Sequence, residues 1–138
     1  MAAENGESPG TPDDAALPRV LCDTASLAAL GDAPAGALWR LAEPGRQLDS
    51  NVVRIPPGGS IGIHTEPDLD VLLLVLQGDG TLERVDGPQP VREGKLAWLP
   101  HGSTRGLQAG AHGMTYLTVH PRRPGMRIQP PATGPVPR

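Results

Sequence analysis

The sequence predicts an all-β domain, an antiparallel barrel or sandwich of nine short strands preceded by one short helix. Three observations point there. From residue 37 onward the apolar residues recur with a period of two, interrupted by turn signals and by no long run at helical spacing. Glycine (18) and proline (17) are frequent enough to supply those turns. The chain has no Phe, and Trp39, Trp98 and Tyr116 are its only aromatics. A core must therefore be built from Leu, Val and Ile, which suit a pleated face.

Residues 1–17 are acidic and rich in small residues. They hold too little apolar surface to offset the entropy of ordering, so disorder is expected. Asp23 is placed to cap a helix of at most two turns, with Leu27 and Leu30 on one face and Gly31 at its end. Strands are then expected at residues 37–43, 46–55, 61–66 and 71–77, with Pro44-Gly45 and residues 56–59 as turns. Gly78-Asp79-Gly80 reads as a hairpin turn into a strand at 81–85. Strands at 89–92, 95–99, 105–108 and 114–120 complete the set, the last two joined by a turn at 109–113. The run from Val71 to Leu76 is apolar on both faces and has no wet side. Its outer face needs cover, which predicts a homodimer. Five prolines follow position 123, so residues 124–138 read as an extended tail, with 126–128 able to add to a sheet edge. The barrel domain accordingly spans residues 18–123.

The formal charge of −3 argues against a nucleic-acid partner. The one basic cluster, Arg122, Arg123 and Arg127, reads as a solvated strand edge. Cys22 stands alone, which excludes an intramolecular disulfide. The first residues hold no apolar segment, and no apolar run is long enough to span a bilayer. A cytoplasmic protein without a membrane partner is expected. No nucleophile elbow, phosphate loop or dinucleotide fingerprint is present, nor are the paired Cys or His of a zinc site.

Two stretches carry the chemistry, GGSIGIHTEPDLDVLLLVLQGDG and GKLAWLPHGSTR. In the first, Gly58 is followed by five residues and His64, then Glu66, and closes at Gly78. In the second, Gly94 is followed by five residues and Pro100-His101-Gly102, then by Arg105. This frame resembles the two motifs of the cupin superfamily, in particular its small single-domain members, over residues 37–121. The resemblance implies a double-stranded antiparallel β-barrel of the cupin, or jelly-roll, type. It also implies a pocket lined by His64, Glu66, Val71 and Arg105. In the family those positions hold two His, a Glu and a further His around a metal ion. Only His64 matches, so no cofactor is favoured. A divalent metal would be left with His64, Glu66 and Asp70 while facing the permanent cation of Arg105. Because positions 66 and 105 converge on one ion in the family, the resemblance implies a Glu66–Arg105 ion pair in its place.

Three functional readings follow. The first is a metal-free binding protein, in which Arg105 and His64 hold a small molecule such as one bearing a carboxylate. The second is a metal-independent isomerase or cyclase-like enzyme with His64 as acid or base, oriented by Glu66 or Asp70. The third is a metal-dependent oxygenase or isomerase with an unusual His/Glu/Asp set. The remaining candidates read as inert. Asp68 and Asp70 fall in a solvated loop, and His101 and His112 in exposed turns. Trp98 reads as packing. His120 is expected to face outward, because Leu117 and Val119 on the other side of its strand read as core.

Overall fold

A computed structural model describes residues 16–31 and 33–123 of the 138-residue chain. The expectations for residues 1–15 and for the proline-rich tail at 124–138, with its added edge at 126–128, lie outside the described residues. The helix α1 spans Thr24–Ala28, and Asp23 caps it as expected: its Oδ1 accepts from the Ala25 and Ser26 amides at 3.0 and 3.3 Å. Strands follow at β1 (Gly36–Arg40), β2 (Leu48–Ile55), β3 (Ser60–Thr65), β4 (Val71–Arg84), β5 (Gln89–Arg92), β6 (Leu96–Leu99) and β7 (Thr104–Pro121).

All described strand pairs are antiparallel, and two long strands organise them. The second half of β7 lies between β2 and the first half of β4, with β1 and β6 at the outer edges. The first half of β7 lies between β3 and the second half of β4, with β5 beyond. Each long strand thus belongs to both layers, and the layers face each other across a shared core. That core includes Leu73, Val75, Met114 and Tyr116 from one layer and Leu82, Val91 and Leu107 from the other.

Seven strands are present among the described residues rather than the nine expected. Gly78-Asp79-Gly80 is no hairpin turn, because β4 runs through it and stays paired with β7 on both sides. Likewise residues 110–113 end no strand. They bulge out of β7 between its pairs Gly78↔Met114 and Gly80↔Ala109. Glycine is required there by contact as well as by φ. Gly78 has φ +84, and a Cβ on it would lie 2.1 Å from the Gly113 carbonyl oxygen. The two backbones cross closely enough for both strands to bend together from one layer into the other.

The pairing sets which side of each strand faces inward. Val71, Leu73 and Val75 point to the core, and the pairs Leu73↔Thr118 and Val75↔Tyr116 turn Thr118 and Tyr116 inward with them. Leu72, Leu74, Leu117 and Val119 therefore occupy the outer face. Its one end is covered: Val52 and Thr115 are fully buried there, and Arg54 donates to the Gly31 carbonyl at 3.1 Å, tying the N-terminal segment down. Further along, Leu72, Leu96 and Trp98 stay 42, 64 and 57% exposed. Trp98 is thus a surface residue and not the packing residue its sequence context suggests.

Candidate functional site

A cavity of about 260 Å³ opens between the layers at one end of the barrel. Its wall is apolar where β4, β6 and β7 meet, at Val71, Leu73, Leu99 and Leu107. Four polar side chains border it: His64, Arg105, Thr118 and His120. His64 and Arg105 are there by register, as direct partners between β3 and β7. Tyr116 completes the wall, and burial pushes its phenol up to about 12.

Both histidines are oriented by backbone. His64 Nδ1 lies 3.0 Å from the Gly62 carbonyl oxygen, and His120 Nδ1 lies 2.8 Å from that of Pro121. A carbonyl oxygen only accepts, so each Nδ1 carries the proton, and among the described residues neither Nε2 has a hydrogen-bond partner. His120 corrects its expected outward position. On β7 the polar residues Thr118 and His120 face the cavity, while Leu117 and Val119 face out. A strand lining a polar cavity has the same alternation as a strand lining solvent, with the faces exchanged. The two readings differ only in register with β4.

Arg105 is 7% exposed. Its Nη1 donates to Ser103 Oγ at 2.9 Å and, at 3.4 Å, to the carbonyls of Pro100 and Ser103. All three acceptors are neutral. Burial lowers its pKa and the charge of Glu66 raises it, yet a guanidinium remains a cation throughout the working range.

Glu66 does not make the expected ion pair with Arg105, nor does it line the cavity. Strand β3 ends at Thr65, and the Glu66 side chain turns into the following loop. There its Oε2 accepts from the amides of Asp68 at 2.7 Å and Leu69 at 3.2 Å. Its Oε1 accepts from Arg123 at 2.6 Å, and Asp68 lies 3.7 Å from the same guanidinium. Arg123 is therefore no idle member of a basic edge. It clasps the chain just past β7 to the loop that follows β3. Burial pushes the Glu66 carboxyl up, but the two amides and Arg123 outweigh it and hold it below its ordinary 4.5. A carboxyl lowered on folding stabilises above its unfolded pKa, and that stability is lost as pH falls through the folded value. Thermal melts of Glu66→Gln across the acidic range should accordingly show a shallower acid limb than wild type. An unchanged limb would show that the clasp adds nothing.

Asp70 is also engaged elsewhere. Its Oδ1 accepts from the His101 amide at 2.9 Å and from His101 Nδ1 at 2.7 Å, and these bonds hold its carboxyl below the ordinary range. His112 is exposed. The resemblance implies a metal at positions 64, 66, 71 and 105, and the residues present do not fit one. Val71 has no donor atom, Arg105 is a cation, and the Glu66 carboxylate is held by Arg123. Among the described residues no three of His, Cys, Asp and Glu gather around one point.

No family model matches the chain, and no curated protein matches it. Solved structures do. A protein of Bacillus halodurans superposes with a TM-score of 0.61 at 21% identity, covering 84% of this chain and 88% of that one. A sugar phosphate isomerase of the cupin superfamily from Silicibacter pomeroyi gives 0.52 at 25% identity, covering 57% of this chain and 53% of that one. The polyketide cyclase RemF from Streptomyces resistomycificus gives 0.54 at 23% identity, covering 59% and 60%. The chain thus spans little more than half the length of the isomerase and of the cyclase. Its fold is the cupin fold.

Proposed function

Given a cupin fold whose described residues gather no metal-binding set, we propose that this protein binds a small carboxylate-bearing molecule in the barrel cavity. Arg105 carries the reading. It is a buried cation whose acceptors are all neutral, and among the described residues no carboxylate lies within ion-pair distance of it. A guanidinium fork matches a carboxylate, and the desolvated apolar wall strengthens the contact. At about 260 Å³ the cavity falls just short of the ~300 Å³ at which drug-sized pockets start, which suits a small acid. The test is a thermal-shift series of short carboxylic acids against their primary amides. A ligand at about 100 times its Kd stabilises by about 2.7 kcal/mol, which moves the melting temperature by several degrees. Acids should shift the melt and amides should not. Equal shifts would remove Arg105 from the site.

A second reading, a metal-independent isomerase or cyclase-like enzyme, is favoured by one observation: His64, with no Nε2 partner among the described residues, is the direct strand partner of Arg105. Isomerase and cyclase chemistry is named for two of the superposed structures.

The exposed apolar row Leu72, Leu96 and Trp98 supports self-association of the chain. Leu72 and Trp98 are direct partners across β4 and β6, so they form one patch. Patches of a few hundred Å² on a monomer commonly mark an interface, and a two-fold axis would set this row against itself. In size-exclusion chromatography with light scattering the wild type should elute as a dimer and Trp98→Glu as a monomer. A monomeric wild type would reject the pairing. No described helix is long and apolar enough to cross a membrane.

A further inference from the structure

Resting on the carboxylate reading, we infer that His120 is a second proton-transfer residue beside His64, and that the substrate class is a short 2-oxo acid enolised between them. The two residues are 56 positions apart in the chain and reach one cavity from different layers, His64 from β3 and His120 from the far end of β7. Each has its Nδ1–H committed to a backbone carbonyl and, among the described residues, no partner on Nε2. That bond is kept whether the ring is neutral or protonated. Either histidine can thus act as base through the Nε2 lone pair or as acid through Nε2–H without reorienting.

Two such groups around one bound acid are suited to a hydrogen on carbon activated by a neighbouring carbonyl. With its carboxylate on Arg105, a short acid would lie along the apolar wall of the cavity that both imidazoles also line. One neutral imidazole takes the C3 proton, and the electron pair of that C–H bond becomes the C2–C3 double bond. The carbonyl π electrons move to oxygen, which receives a proton from the other, protonated imidazole. Reversal returns a solvent proton to carbon. No oxidant, reductant or metal enters, and atoms and charge balance at each stage. Leu73, Leu99 and Leu107 supply an apolar wall along one side of the bound acid.

The experiment follows 2-oxobutyrate in D₂O by proton NMR, with the full-length protein in the presence and in the absence of a chelator, and measures loss of the C3–H signal. The wild type should accelerate exchange over buffer. His64→Gln and His120→Gln should each slow it by about 100-fold, the usual order for loss of one acid or base. Both should keep the thermal shift that 2-oxobutyrate produces. His120→Asn serves the same purpose if the Gln variant does not fold. His112→Gln, whose ring lies outside the cavity, should exchange at the wild-type rate. A His120 variant within twofold of wild type, or binding without exchange, overturns the inference and leaves the carboxylate reading standing. Exchange abolished only by the chelator assigns the chemistry to a metal and also overturns it. Absence of any acid-induced shift in the wild type overturns the carboxylate reading first, and the inference falls with it.

Discussion

Arg105→Met is expected to abolish binding of short carboxylic acids while leaving the fold as stable as wild type. Arginine is replaced by a side chain of similar reach and no charge, so the cavity wall keeps its packing. The buried cation carries a desolvation cost that no carboxylate among the described residues offsets by direct pairing. Removing it forfeits hydrogen bonds to Ser103 and to two carbonyls. Ser103 Oγ retains its own donation to the Pro100 carbonyl at 2.7 Å. Stability should stay within about 1 kcal/mol of wild type, because these gains and losses are of similar size. Binding should fall by about 2–4 kcal/mol, roughly 30- to 1000-fold in Kd, the usual loss for a desolvated charge-assisted pair. Calorimetric titration with the best acid of the thermal-shift series reads the second number, and urea melts read the first. Loss of binding together with a large loss of stability would mean that Arg105 is structural. Unchanged binding would place the ligand elsewhere.

Gly78→Ala is expected to cost the most of any small substitution in the barrel, roughly 3–5 kcal/mol. Two effects add. A residue with a Cβ is penalised at φ +84, by about 1–2 kcal/mol. The new methyl would also stand 2.1 Å from the Gly113 carbonyl oxygen, a backbone atom that cannot rotate away. β4 and β7 would have to part at the corner where both change layers. Gly58→Ala separates the two effects. Its φ is +73, but nothing lies within 4 Å of where its methyl would stand, so only the conformational penalty of about 1–2 kcal/mol applies. Urea denaturation of both variants checks the difference. With a total stability of about 5–15 kcal/mol for a domain of this kind, Gly78→Ala should sit near its unfolding threshold. Equal losses at the two positions would show that the corner relaxes freely.

Much of the architecture is legible in the chain because its signals are local. Strand periodicity, the Asp23 cap and the turn residues each act within a few positions, and each predicts an element close to where it lies. His64, Val71 and Arg105 are legible too, since a spaced Gly and Pro frame fixes where strands begin and end. The departures have a common physical origin. Gly-Asp-Gly has the composition of a hairpin turn, but the contact that carries β4 through it is made by Gly113, 35 positions away in the chain. A strand continued to position 66 would set Glu66 opposite Ser103, on the face that carries His64 and Arg105. The strand ends one residue earlier, and the carboxylate finds Arg123 instead.

His120 shows the division most clearly. The alternation Tyr116, Thr118, His120 against Leu117, Val119 is written in the chain, and it specifies a strand with two unlike faces. Which face looks inward is not a local property. Pairing with β4 turns the polar face toward a cavity, and the apolar face becomes the outer side that a second copy is proposed to cover. Strand identity comes from backbone and side-chain preferences a few residues long. The facing of a strand, and hence the second histidine of the site, comes from register between segments some 40 residues apart, which only the assembled sheet supplies.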